Sequence, residues 1–145
     1  MPDLIAISQK CPAQIASELR ASFALFWADR AAAANRIRGA VESILTHFKI
    51  PRRKRTANAR FHRLTLDERL KLFTRVDSAS ADRLMAIKWF GNTGSHGHAI
   101  SRDEVLDVLE ILEDTLVELF ERRKQRITAL TRTVMKKHAP KRKTN

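Results

Sequence analysis

The sequence predicts an all-α protein, a bundle of four to five helices with a long C-terminal helix. Three observations carry that expectation. Apolar residues recur three and four positions apart through most of the 145 residues, which is the spacing of one helical face. Only four glycines and four prolines interrupt the chain. No stretch alternates apolar and polar residues over the length of a strand.

Residues 1–10 read as a lead, and 11–123 as a single helical domain, a size at which one hydrophobic core is the rule. Pro12 suits a first helical turn, where its missing N–H would have had no partner. Beyond it, Ile15, Leu19, Phe23 and Phe26 share one face. The stretch around Asp29 fits either a continuing helix or a short break. Ile37, Val41, Ile44, Leu45 and Phe48 form the next stripe. Pro51 closes it, because the residue before a proline avoids helical backbone.

Residues 51–64 have no apolar periodicity and read as a mobile basic loop. Thr65 and Glu68 then have the spacing of a capping box. They head a helix whose inner face is Leu66, Leu70, Phe73 and Val76. Ser80 is read as the cap of the following helix, with Leu84 and Ile87 inward and Gly91 as its stop. Ser101 and Glu104 repeat the capping-box spacing. The helix after them carries Val105, Val108, Leu109, Leu112, Leu116, Leu119 and Phe120, and Ile127, Leu130 and Val134 extend it. Residues 124–145 read as its basic extension and a frayed tail. Trp27 and Trp89 lie beside apolar stripes and are assigned to the core.

The net charge of +12 is unevenly spread. Residues 65–121 hold twelve acidic side chains against six basic ones, whereas 51–64 hold six basic and 122–145 hold ten, with no acid in either segment. Such segments suit polyanions, which are bound by counterion release without sequence reading. A solubilising tail, or one folded back on the acidic helices, would carry the same charges. The candidate contacts to RNA or DNA are Arg52, Arg53, Lys54, Arg55, Arg60 and Arg63 in the loop. In the tail they are Lys136, Lys137, Lys141, Arg142 and Lys143.

Other classes find little support. One cysteine, Cys11, makes no intrachain disulfide. No apolar run has the length of a membrane span, and the first residues lack the pattern of a secretory signal. No membrane partner is expected, and the cytoplasm is the expected compartment. The five histidines and the cysteine fall at no recognised zinc spacing, so neither metal nor cofactor is expected.

Residues 87–98, IKWFGNTGSHGH, concentrate three of the four glycines and two of the five histidines. The run fits a helix stop and turn, since Gly and Asn accept positive φ. It also fits a phosphate cradle of backbone amides, if a helix N-terminus is aimed at it. His96 would either bond backbone carbonyls and pack the turn against a neighbouring helix, or serve as a general base.

Taken in order with CPAQIASELRASFALFWAD and AAAANRIRGAVESIL, this run resembles the domain of unknown function 4145 family. Its signature here is Gly91, Asn92, Gly94, Ser95 and His96 ahead of the Ser101-headed helix. The resemblance implies a bacterial helical domain, found alone or joined to restriction and other anti-phage proteins. It also implies distant kinship with the HEPN superfamily of helical bundles, many of which are metal-independent ribonucleases that assemble their sites across a homodimer. Those sites pair an arginine, often followed by a polar residue, with a histidine a few positions on. Carried over, Asn92 matches the polar residue and His96 (or His98) the histidine, but Gly91 stands in the arginine's place. Lys88 is the nearest upstream cation, and lysine lacks the planar fork of arginine. Arg36 or Arg38, on the second helix, is the candidate for a displaced arginine.

The function expected is a non-enzymatic interaction module of a prokaryotic defence or nucleic-acid-associated system. It would be a homodimer contacting RNA or DNA through basic segments, with a restriction or toxin–antitoxin protein as the kind of partner. The alternative is a metal-independent HEPN-like endoribonuclease using His96, Asn92 and Lys88.

Overall fold

The computed structural model describes residues 2–142, and its architecture is the expected helical bundle. Helices α1 (Ala13–Phe26) and α2 (Arg30–His47) are followed by a short hairpin, β1 (Arg53–Arg55) and β2 (Phe61–Arg63). Then come α3 (Leu66–Phe73), α4 (Ser78–Ser95) and α5 (Arg102–Leu116), a five-residue π-helical segment (Val117–Glu121), and α6 (Arg123–His138).

Helix α2 is the centre of the bundle, with α1 along one side and α4 along the other, while α3 and α5 close the core. The apolar stripes meet there: Leu19, Ile37, Ile44, Leu45, Leu70, Phe73, Leu84, Ile87, Leu109 and Leu112 are all fully buried. Each such side chain contributes about 1.5–3 kcal/mol by leaving water. Phe48, Phe73 and Phe120 gather at one end, with Phe48 and Phe120 stacked at 5.8 Å between ring centroids. The N-terminal lead is also packed, through Leu4, Ile5 and Ile7, and the Ala6 N–H donates to Glu113 Oε1 at 2.7 Å.

Caps delimit the helices. The Asp29 carboxylate accepts from the Ala32 N–H at 2.9 Å and separates α2 from α1. Both capping boxes form: Thr65 and Glu68 exchange bonds of 2.7 and 3.2 Å, and Ser101 and Glu104 exchange bonds of 2.7 and 3.1 Å. The backbone N–H of each cap holds its glutamate's carboxyl below the ordinary glutamate range.

Several expectations change. The start of α4 is capped by Asp77, whose carboxylate accepts from the Ser80 N–H at 3.0 Å, and Ser80 itself is buried inside the helix. Val76 lies beyond the end of α3 and is exposed, as are Trp27 and Trp89, which point away from the core stripes. Trp27 instead packs edge-on against Phe26, and the Arg102 guanidinium sits 5.6 Å from its ring centroid. The long C-terminal helix is broken: Arg122 adopts left-handed backbone (φ 50°), and α6 leaves as a separate helix. The apolar pattern that reaches the core ends at Phe120, so Ile127, Leu130 and Val134 have nothing to join and stay exposed.

Gly91 does not stop its helix. Helix α4 runs through it to Ser95, His96 is the C-cap, and Gly97, at φ +76°, is the left-handed residue that follows. Gly91 is buried where α4 crosses α2: a β-carbon there would stand 3.2 Å from the Arg38 Cβ and 3.5 Å from the Ala34 carbonyl oxygen.

Candidate nucleic-acid interface

The basic segment 51–64 is a hairpin rather than a shapeless loop. Arg53 pairs with Arg63, Lys54 with His62 and Arg55 with Phe61 in antiparallel register. The ladder is extended by Leu64 N–H to Arg52 O at 2.8 Å, and the turn is closed by Thr56 N–H to Arg60 O at 2.8 Å. Ala59 takes left-handed backbone at φ 56°. Every ribbon side chain is exposed, so the hairpin needs no apolar alternation and leaves none in the sequence.

Residues paired across an antiparallel ribbon project to the same face. One face therefore carries Arg53, Arg55, Phe61 and Arg63, and the other carries Lys54 and His62. Phe61 is 69% exposed, a large apolar ring set among three guanidiniums. Arg53 directly opposite Arg63 is a like-charge pair, which costs a ribbon stability and is relieved when an anion binds between them. His62 lies 3.6 Å from Glu68 and ties the ribbon to the start of α3.

Beside the ribbon lies a cleft of about 530 Å³ lined by α2, the hairpin and the head of α3, with Glu18 of α1. Four arginines line it, Arg38, Arg52, Arg63 and Arg69, against two carboxylates, Glu18 and Glu42. Glu18 is already shared with Arg36, at 3.4 Å. Arg69 is buried, donating to Thr46 Oγ1 at 3.1 Å and the Ile50 carbonyl at 3.0 Å. Burial pushes its guanidinium below the ordinary arginine range, nearby Arg52 pushes the same way, and Glu42 opposes them. The Nε atoms of Arg38 and Arg69 are buried and find no acceptor among the described residues. Buried donors left over in this way have room for an acceptor, a water or an anion.

Of the basic residues expected to contact nucleic acid, Arg52 and Arg63 reach the cleft, Arg53 and Arg55 the Phe61 face, and Lys54 the opposite face. Arg60 closes the turn. Lys136 and Lys137 sit in the last turn of α6, with Lys141 and Arg142 exposed beyond it; Lys143 lies outside the described residues. Phe61 and Arg69 are not among the residues the sequence points to as site residues, and it offers Arg38 only as a partner for His96. The signal for Phe61 is present, since R-x-R and F-x-R are period-two patterns on either side of a short polar turn.

The signature turn is arranged differently from the expected one. Gly94 and Ser95 complete the backbone of α4. Asn92 is half-buried, and His96 is exposed rather than packed against a neighbouring helix. Lys88 is held by Asp67 at 3.1 Å, joining α4 to α3, and Asp67 also binds Lys71 at 2.8 Å. The two lysines, Lys71 foremost, hold the Asp67 carboxyl below its usual range. Arg38 meets α4 at Gly91. His96 is five residues further on, about 140° round a helix from that contact. Arg36 is engaged with Glu18.

Among the described residues, no group of three or more His, Cys, Asp or Glu is placed to hold a metal ion. Among them too, no helix is long and apolar enough to cross a membrane. No curated protein and no solved structure matches the chain. The family model described as Domain of unknown function (DUF4145) matches residues 20–138, most of the length, and the chain belongs to that family.

Proposed function

We propose that the chain is a non-enzymatic helical module that binds the backbone of RNA or DNA without sequence preference. It acts as a homodimer in the cytoplasm, within a prokaryotic defence or nucleic-acid-associated system whose restriction or toxin–antitoxin protein is its partner. The observation that carries the binding is the ribbon face, with exposed Phe61 among Arg53, Arg55 and Arg63. Guanidiniums supply phosphate contacts, and an exposed aromatic ring offers a stacking surface to an unpaired base. The adjoining cleft, with four arginines and two glutamates, shares Arg63 with that face and continues the positive surface. The acidic helix α5 does not line this cleft and repels the same ligand.

The test is a fluorescence-anisotropy titration of labelled single-stranded RNA and duplex DNA at rising salt. Four phosphate contacts on duplex DNA imply a loss of affinity of about a hundredfold between roughly 50 and 200 mM salt. Binding that ignores salt, or no binding at low salt, refutes the proposal. RNA cleavage in EDTA that disappears in His96→Ala would place the chain among HEPN-like ribonucleases instead.

A further inference from the structure

Every residue of α6 is exposed, and the helix joins the rest of the fold at the π-helical segment. It carries six lysines and arginines and no acid. Ile127, Leu130 and Val134 are 52, 54 and 57% exposed. Positions three and four apart share a helical face, so these three form one apolar stripe, with Arg126 and Lys137 along its edge. Most of the stability of such a helix comes from covering its apolar face.

A groove with the complementary character lies between α4 and α5. Asp82 and Ala86 line it from α4, and Asp107, Glu110, Ile111 and Asp114 from α5. Arg83, the one cation lining it among the described residues, is neutralised by Asp114 at 2.7 Å. Ile111, 39% exposed, puts an apolar patch in the middle of the acids. The lengths also agree: residues 107–114 and 127–134 each advance seven positions, about 10 Å of helix.

We propose that α6 of one copy lies in the α4–α5 groove of a second copy, and that the exchange is reciprocal, closing a two-fold dimer. Ile127, Leu130 and Val134 cover Ile111 and Ala86, while Arg126 and Lys137, about 16 Å apart along α6, bracket the acidic row Asp107, Glu110 and Asp114 from its two ends. The acids exclude a nucleic acid from this groove, and the matching helix is present in the chain itself. This names the surface of the self-association stated above, and its test contains no nucleic acid, so it stands or falls apart from the binding.

Sedimentation equilibrium of the full chain at micromolar concentrations gives a mass twice the 16.6 kDa of one chain, with weaker association at high salt as the charges are screened. Ile127→Glu with Leu130→Glu halves that mass, and so does Asp107→Lys with Glu110→Lys. All four positions are exposed, and unchanged circular dichroism establishes that the variants fold. Mixing the Asp107→Lys/Glu110→Lys chain with an Arg126→Glu/Lys137→Glu chain restores the dimer, because both exchanged contacts are then complementary. A monomeric wild type overturns the proposal together with the homodimer. A dimer indifferent to both sets of substitutions overturns this surface and assigns self-association to another face.

Discussion

Arg38 lies across α4 at Gly91, so close that a β-carbon on the glycine would stand 3.2 Å from the arginine's Cβ. The same arginine lines the cleft beside the hairpin. The glycine at the heart of the family signature thus lets α2 and α4 approach, and that approach sets the position of one of the cleft's four cations.

Gly91 and Gly97 should respond to substitution for different reasons, one of space and the other of backbone conformation. Gly91→Leu forces α2 and α4 apart and costs about 1–3 kcal/mol. In Gly91→Ala, a helix-propensity gain of about 0.5–1 kcal/mol offsets the tight contact. Gly97→Ala is destabilising by about 1–2 kcal/mol, because the residue has left-handed backbone at φ +76°. Urea unfolding of the three variants measures this. A Gly91→Leu protein as stable as wild type would show that the crossing is not tight.

Binding should divide by ligand. Phe61→Ala weakens single-stranded RNA by about 1–3 kcal/mol, the worth of one stacked base, and barely changes duplex DNA. Arg52→Ala or Arg63→Ala weakens every sequence alike and lowers the salt slope by about 1. Anisotropy titrations separate the two patterns, and equal losses on both ligands for Phe61→Ala would remove the stacking role.

Arg69 has a structural share as well. Arg69→Met strips a donor from the buried Ile50 carbonyl and from Thr46, at a cost of about 1–3 kcal/mol. The loss should appear as a lower urea midpoint with an unchanged slope.

Acid should destabilise the fold through Glu68, Glu104 and Asp67, whose carboxyl pKa values are all depressed. A depressed folded value means that the unfolded chain binds protons first as pH falls. The stabilisation is therefore complete above the unfolded carboxyl range and disappears as pH drops through the folded values. A Glu68→Gln/Glu104→Gln chain should lose stability at neutral pH and show a shallower decline on acidification. Thermal melts from neutral to acidic pH provide the readout, and parallel curves would contradict it.

His96→Ala should leave stability within about 0.5 kcal/mol of wild type, as for most exposed positions. RNA affinity should also be unchanged. A marked drop in affinity would give the signature turn a direct role at the ligand.

Much of the bundle was legible in the sequence, because a helix that buries one face announces it by period and cap. Ile15, Leu19, Phe23 and Phe26 are inside as expected, and both capping boxes form. Period alone misplaces Val76, which lies past the end of its helix, and other errors fall where no period operates. The hairpin buries no side chain and so shows no alternation in hydrophobicity. Trp89 has the composition of a core residue but lies on the outer face of α4, and composition does not distinguish faces. Glycine permits a helix stop, which is what the sequence suggests for Gly91, whereas it serves here as the smallest residue at a helix crossing.

The sequence by itself determined the helices, their inward faces, the family signature and the separation of acidic and basic segments, since each depends on neighbours within a few turns. Only the tertiary structure decided that Arg38, Arg52, Arg63 and Arg69 share one cleft, drawn from α2, the hairpin and α3. It alone left the apolar stripe of α6 uncovered. Those arrangements depend on how helices distant in the chain cross, and the crossing is set by side-chain volume at points such as Gly91, which local periodicity does not record.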